Sequence, residues 1–70
     1  MSETIKITVN GSAEEVPKKS TLAVLIDRFR VKDPGLVVEL NGQIVFPQQY
    51  ASTSVSENDR IEFIHCGFAG

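Results

Sequence analysis

The sequence predicts an α+β protein in which one amphipathic helix packs across one face of a mostly antiparallel sheet. Three observations lead to this fold class. Short segments that alternate apolar and polar residues lie on both sides of a single segment with helical apolar spacing. Asn-Gly pairs, which favour tight hairpins, follow two of the strand-like segments. The chain has 70 residues, enough for one domain with a thin core.

The opening segment alternates apolar with polar residues, as a half-buried strand does. Its apolar residues are Ile5, Ile7 and Val9. Asn10-Gly11 follows and predicts a two-residue turn, because both residues tolerate positive φ. Residues 13–16 then return as a second strand, and Pro17 ends it because proline has no N–H to donate to a neighbouring strand.

A single segment has the spacing of an amphipathic helix. Its apolar residues, which follow one another at i, i+3, i+4 and i+7, are Leu22, Leu25, Ile26 and Phe29. Ser20 or Thr21 is expected to cap its first turn. The Asp-Pro-Gly sequence at residues 33–35 is expected to stop the helix and turn the chain.

The second half of the chain predicts a second hairpin. Residues 36–40 are apolar and β-branched enough to form a third strand. Asn41-Gly42 repeats the turn signal, and residues 43–46 return as a short strand. Pro47 ends that strand or confines it to an edge of the sheet.

The last strand is predicted over residues 60–65. Residues 48–56 before it are polar and predict turns with one short 3₁₀ segment, and residues 57–59 form a tight turn. In the strand itself, alternation places Ile61 and Phe63 on one face of the sheet and the residues between them on the other.

Charge and cysteine content exclude several classes of function. The chain has 7 basic and 9 acidic residues and a net charge of -2, whereas a nucleic-acid-binding protein needs a basic patch. One cysteine permits neither an internal disulfide nor a cysteine cluster for a metal or an iron–sulfur centre. No segment approaches the roughly 20 apolar residues of a membrane helix, and the first residues lack a signal-peptide pattern. We therefore expect a cytoplasmic protein without nucleic-acid or membrane partners.

The candidate functional residues lie at the C-terminus. Its uncharged last residues, which lack a regular pattern, are Gly67, Phe68, Ala69 and Gly70. We interpret residues 1–66 as the folded domain and residues 67–70 as a flexible tail. Cys66 is expected to be a small apolar filler and His65 a surface residue at the strand end. The sequence has no nucleophile–base constellation and no phosphate-binding loop, so a self-contained enzyme is not expected.

With these elements in place, the chain resembles the β-grasp sulfur carriers of the ThiS and MoaD family, and most closely the ThiS type. The segments that carry the resemblance are residues 7–11 (ITVNG), 21–26 (TLAVLI), 38–45 (VELNGQIV), Tyr50, residues 55–62 (VSENDRIE) and the glycine-bearing tail. The resemblance implies a ubiquitin-like mixed sheet of four to five strands with one helix across one face. It also implies that the first and last strands are adjacent and parallel at the sheet centre.

The resemblance implies a function for Gly70 as well. A ThiF-type adenylyltransferase would use ATP and magnesium to adenylate its terminal carboxylate. A cysteine desulfurase relay would then supply the sulfur of a thiocarboxylate, and a ThiG-type thiazole synthase would receive that sulfur for the thiazole ring of thiamine. The carrier itself would bind no cofactor. Gly67, Phe68 and Ala69 would contact these partners, and Phe68 would either enter a partner pocket or fold back onto the sheet edge.

Two positions depart from the family pattern. Ala69 stands where the family usually has glycine, and Pro47 lies one position later than the family's proline. Sulfur delivery to molybdopterin, cysteine or homocysteine synthesis is therefore an alternative to thiazole synthesis. A β-grasp interaction module with an inert tail is a further alternative.

Overall fold

The computed structural model describes residues 3–29, 31 and 33–65, which form one sheet, one α-helix and one 3₁₀ helix. The elements are β1 (Thr4–Val9), β2 (Ser12–Pro17), α1 (Leu22–Arg28), β3 (Leu36–Leu40), β4 (Gln43–Val45), the 3₁₀ helix η1 (Pro47–Ser52) and β5 (Arg60–His65). The α+β class predicted from the sequence is confirmed, and the predicted bounds of β3 and β5 coincide with the observed ones.

The five strands form one mixed sheet in the order β2-β1-β5-β3-β4. β1 pairs antiparallel with β2 and parallel with β5. β3 pairs antiparallel with β4 and with β5. The first and last strands are thus parallel neighbours and β5 is the central strand, as the family resemblance implied. This arrangement is the β-grasp fold.

Both Asn-Gly pairs form the predicted hairpin turns. Asn10 and Gly11 have φ values of 49° and 84°, and Asn41 and Gly42 have values of 52° and 88°. Two successive residues in the left-handed region give the turn whose twist matches the flanking strands, and asparagine and glycine reach this region at the least cost. β2 begins one residue earlier and ends one residue later than expected, and Pro17 can belong to it because β2 is an edge strand.

The start of α1 shows which of the two candidate residues caps the helix. The Oγ1 of Thr21 accepts a hydrogen bond from the Val24 N–H at 3.2 Å, so Thr21 is the N-cap. Ser20 is buried instead, and its hydroxyl donates to the Pro17 carbonyl at 2.5 Å. The serine therefore fastens the turn after β2 and takes no part in the helix.

The end of α1 comes earlier than the sequence predicted. The helix ends at Arg28 with Phe29 as its C-cap, and the Val31 N–H donates back to the Ile26 carbonyl at 3.0 Å. This closing bond ends the helix before the Asp-Pro-Gly turn is reached. The Phe29 ring nevertheless packs toward the core, 6.4 Å from the Phe63 ring, because the C-cap position still faces the sheet.

The core lies between α1 and one face of the sheet. Its buried apolar residues are Ile5, Ile7, Val9, Val16, Leu22, Leu25, Val38, Val55, Ile61 and Phe63. The alternation predicted for β1 and β5 is confirmed, because the apolar residues assigned to the core face of each strand are buried while the alternate residues, Ile64 among them, are more exposed.

The contrast between two neighbouring helix residues tests this packing. Leu25 is fully buried, whereas Val24 is 51% exposed. We expect Leu25→Ala to lower the free energy of unfolding by about 2–5 kcal/mol, because it removes buried methyl groups and leaves a cavity. Val24→Ala is the control and should change it by less than about 0.5 kcal/mol. Urea denaturation measures both, and equal effects would contradict the placement of α1.

Candidate functional site at the end of strand β5

The residues predicted to carry the chemistry follow directly after β5. Gly67, Phe68, Ala69 and Gly70 lie outside the described residues, as does Cys66. The described part of the site is therefore the strand from which this segment continues and the groups that hold that strand.

β5 is fixed to β1 by backbone bonds and by one asparagine side chain. Thr8 N–H donates to the Asp59 carbonyl at 2.9 Å. Asn10 N–H donates to the Ile61 carbonyl, also at 2.9 Å. Beyond the end of β1, the side-chain oxygen of Asn10 accepts from the Phe63 N–H at 2.8 Å. The turn asparagine thus prolongs the strand pairing by one more bond toward the C-terminus.

The start of β5 is held by the second turn asparagine in a similar way. Asn41 Oδ1 accepts from the Arg60 N–H at 2.8 Å, and Asn41 N–H donates to the Arg60 carbonyl at 2.7 Å. Asn41 Nδ2 also donates to Asp59 Oδ1 at 3.0 Å. The other oxygen of Asp59 accepts from the Ser56 N–H at 2.7 Å. These bonds fix the turn from which β5 begins.

His65, the last residue of β5, is paired with Asp33. The His65 Nδ1 lies 2.6 Å from Asp33 Oδ2. Asp33 Oδ1 accepts from the Gly35 N–H at 2.9 Å, and the Asp33 carbonyl accepts from the Leu36 N–H at 3.0 Å. One carboxylate therefore fastens both the turn before β3 and the end of β5. The hydrogen bond from Gly35 and then that from His65 hold the pKa of Asp33 below its ordinary value.

The sequence analysis placed His65 correctly at the surface but missed its partner. The His65 side chain is 54% exposed and that of Asp33 is 23% exposed. The register of β3 against β5 puts Leu36 opposite His65, and this brings the turn before β3 to the end of β5. No local pattern in the sequence signals a contact between residues this far apart.

The sheet face opposite the helix is here called the open face. Near the end of β5 it carries Ile64 opposite Val37, and Glu62 opposite Glu39. On the other side of β3, Ile44 of β4 lies opposite Glu39. The large apolar side chains exposed in this half of the chain are Ile44, Phe46 and Ile64. Apolar and acidic side chains are thus presented together beside the strand that leads to the C-terminus.

In residues 3–29, 31 and 33–65, no three His, Cys, Asp or Glu side chains are grouped so as to hold a metal ion. Every buried side-chain nitrogen or oxygen in this part of the chain has a hydrogen-bond partner. None of the described helices is long and apolar enough to cross a membrane.

A β-grasp domain whose last described strand lies at the centre of the sheet has the architecture of the small carrier proteins. Residues 3–66 match the model of the ThiS family, and the chain belongs to that family. Its members are small sulfur carriers and not catalysts. The family resemblance read from the sequence is confirmed, although the match ends before residues 67–70.

Two solved structures are similar to the whole domain. The crystal structure of the thiamine biosynthesis protein ThiS from Geobacter metallireducens is 26% identical, with a TM-score of 0.83 over 94% of this chain and 100% of that chain. An NMR solution structure of a thiamine biosynthesis protein from the same organism is 26% identical, with a TM-score of 0.77 over 94% of this chain and 88% of that chain. No curated protein matches the chain.

The pairing of Asp33 with His65 predicts a pH-dependent contribution to stability. Because folding lowers the pKa of Asp33, its contribution is present above the ordinary value of 3.8 and is lost as the pH falls through the folded value. We expect Asp33→Asn to melt at a lower temperature than the wild type near neutral pH. The difference in Tm should close as the solution is acidified below that range.

Asp27→Asn is the control for this measurement. Asp27 is exposed on α1, and no hydrogen bond or ion pair of its side chain occurs within the described part of the chain. The Tm of Asp27→Asn should equal that of the wild type at every pH. An Asp33→Asn deficit that stays constant down to strongly acidic pH would show that the carboxylate charge is not the cause.

Proposed function

We propose that this chain accepts sulfur on the terminal carboxylate of Gly70 and delivers it as a thiocarboxylate for the thiazole ring of thiamine. Membership of the ThiS family is the observation that carries the proposal. The similarity to two structures described as thiamine biosynthesis proteins favours the thiazole branch. The proposed place of action is the cytoplasm.

The proposed chemistry begins with activation, because a free carboxylate is a poor electrophile. A ThiF-type adenylyltransferase would bring a carboxylate oxygen of Gly70 to the α-phosphorus of ATP, and pyrophosphate would leave. Magnesium on that enzyme would screen the phosphate charges. The terminal sulfur of a persulfide on a cysteine desulfurase relay would then displace AMP at the carbonyl carbon, and a thiol would reduce the resulting acyl disulfide to the thiocarboxylate and itself end in a disulfide. A ThiG-type thiazole synthase would take the sulfur from the resulting thiocarboxylate.

The carrier's own task in this scheme is presentation. Residues 1–66 would form the domain and residues 67–70 the flexible tail, which spans roughly 14 Å when fully extended. A tail of this length requires the partner to come close to the end of β5. Glycine at the terminus helps because it has no Cβ and fits where extended backbone passes close to other backbone. Gly67, Phe68 and Ala69 would make the tail contacts.

A second candidate is sulfur delivery to another pathway, such as molybdopterin, cysteine or homocysteine synthesis. The observation in its favour is Ala69, which stands where the family usually has glycine. A partner enzyme with a different tail-binding channel would require a different residue at this position of the tail.

Deletion of Gly70 tests the acceptor assignment. The wild-type chain is incubated with a ThiF-type adenylyltransferase, ATP, magnesium and sulfide, and its intact mass is measured. We expect a gain equal to the replacement of one oxygen by sulfur, and no gain after deletion of Gly70. A circular-dichroism melt of the shortened chain controls for folding.

The two contrary outcomes of this experiment have different meanings. A mass gain that persists after the deletion would place the acceptor on another group. An unchanged mass for the wild type would favour the interaction module with an inert tail.

Substitution of Ala69 tests how the tail is recognised. If the alanine methyl is crowded in the partner channel, it costs about 1 kcal/mol or more. Ala69→Gly should then raise kcat/KM for adenylation by about fivefold, and Ala69→Val should lower it. Pyrophosphate release measures both rates. Loss of activity in Ala69→Gly would instead show that the partner recognises the methyl group itself.

A further inference from the structure

Two glutamates of the open face stand directly opposite each other on neighbouring strands. Glu39 of β3 is paired in register with Glu62 of β5. Within the described part of the chain, neither carboxylate has a hydrogen bond or an ion pair, and the single ion pair found there is that of His65 with Asp33. Like charges directly opposite each other destabilise a sheet. From this register we expect a repulsion in the free domain that a neutral side chain would remove.

Other charged positions on this face are arranged differently. Lys6 of β1 is opposite Glu15 of β2, so opposite charges face each other there. Arg60 is opposite Thr8 and lies two residues before Glu62 on the same face, yet it forms no ion pair within the described residues. The acidic pair is therefore the one place among the described strand pairs where like charges face each other.

Exposed apolar side chains flank the acidic pair. Ile64, which is 37% exposed, follows Glu62 by two residues on the same face and is opposite Val37. Ile44, which is 54% exposed, lies beside Glu39 on the next strand. Binding surfaces commonly combine apolar side chains, which exclude water, with charges that select the partner.

We propose that Glu39 and Glu62 together are a specificity-determining contact that binds one cationic side chain, flanked by apolar ones, on the adenylyltransferase that loads Gly70. This inference rests on the proposed function. Glu62 lies on β5, the strand that precedes the tail in the sequence, so a protein bound at the pair contacts the strand from which the tail continues. A guanidinium group suits the pair because its planar fork bonds carboxylates at more than one nitrogen.

A second copy of this chain is a poorer occupant of the same surface. A face-to-face dimer centred on the pair would bring four carboxylates together without a cation between them. A basic side chain of a partner would lie between the two carboxylates and offset their repulsion, and this electrostatic gain favours binding.

Binding to a ThiF-type adenylyltransferase tests the inference. Titration calorimetry at low and at high salt compares the wild type with Glu39→Gln and Glu62→Gln. Each variant should bind roughly tenfold more weakly and depend less on salt, because one of the two charges that hold the cation is gone. Glu15→Gln is the matched control, since it makes the same charge change on the same face but opposite Lys6. It should bind as the wild type does.

Melting of the free variants gives a second readout that needs no partner. Glu39→Gln and Glu62→Gln should each raise Tm, and the double variant should gain less than the sum because the first substitution already removes the repulsion. Glu15→Gln should not raise Tm. A fall in Tm of either single variant, or full additivity in the double variant, would overturn the inference.

The outcomes separate the inference from the proposed function. If the wild type gains sulfur while the Glu39 and Glu62 variants bind as tightly as it does, the inference fails and the proposed function stands. If the wild type neither binds nor gains sulfur, both fail. Self-association of the wild type that is lost in the variants, measured by sedimentation, would assign the pair to a second copy and overturn the inference.

Discussion

The structure depends on the position of β5 at the centre of the sheet. This last strand lies between β1, which it meets in parallel, and β3, which it meets in the opposite direction. Its register with β1 covers only Thr8–Arg60 and Val9–Ile61, whereas its register with β3 runs from Ile61 to His65. The Asn10 side chain extends the short side by one bond. The core is therefore complete only when β5 is in place. The candidate functional residues come directly after this strand in the sequence.

Local chemistry explains which parts of the fold could be predicted. The Asn-Gly pairs set both hairpins, and alternation around Ile61 and Phe63 gave the bounds and the faces of β5, because these signals lie within a few residues. The predicted end of α1 was wrong because Phe29 keeps the apolar spacing of the helix although it occupies the C-cap. Apolar spacing reports which side chains reach the core and not where the backbone stops being helical.

The site was less predictable because its contacts depend on strand register. Asp33 meets His65, and Glu39 meets Glu62, only because β3 pairs with β5 in one particular alignment. Nothing within either segment specifies that alignment. The parallel pairing of β1 with β5 came from the family resemblance and not from the residues themselves. Sequence pattern thus predicted a functional C-terminus, which stays a prediction, while the structure was needed to find the contacts at the end of β5.

The two faces of β5 have different surroundings. Toward the helix, Ile61 and Phe63 belong to the buried core and stabilise the fold. This stabilisation can offset a small destabilisation on the other face of the strand. On the open face, the same strand keeps Glu62 opposite Glu39 without a described counter-charge. The side chains of the last four residues carry no charge, so in the proposed function the tail offers its partner enzymes no charged group except the terminal carboxylate. If partner enzymes are distinguished by charge, we expect the domain surface to supply it, and the two unmatched carboxylates on β3 and β5 fit that expectation.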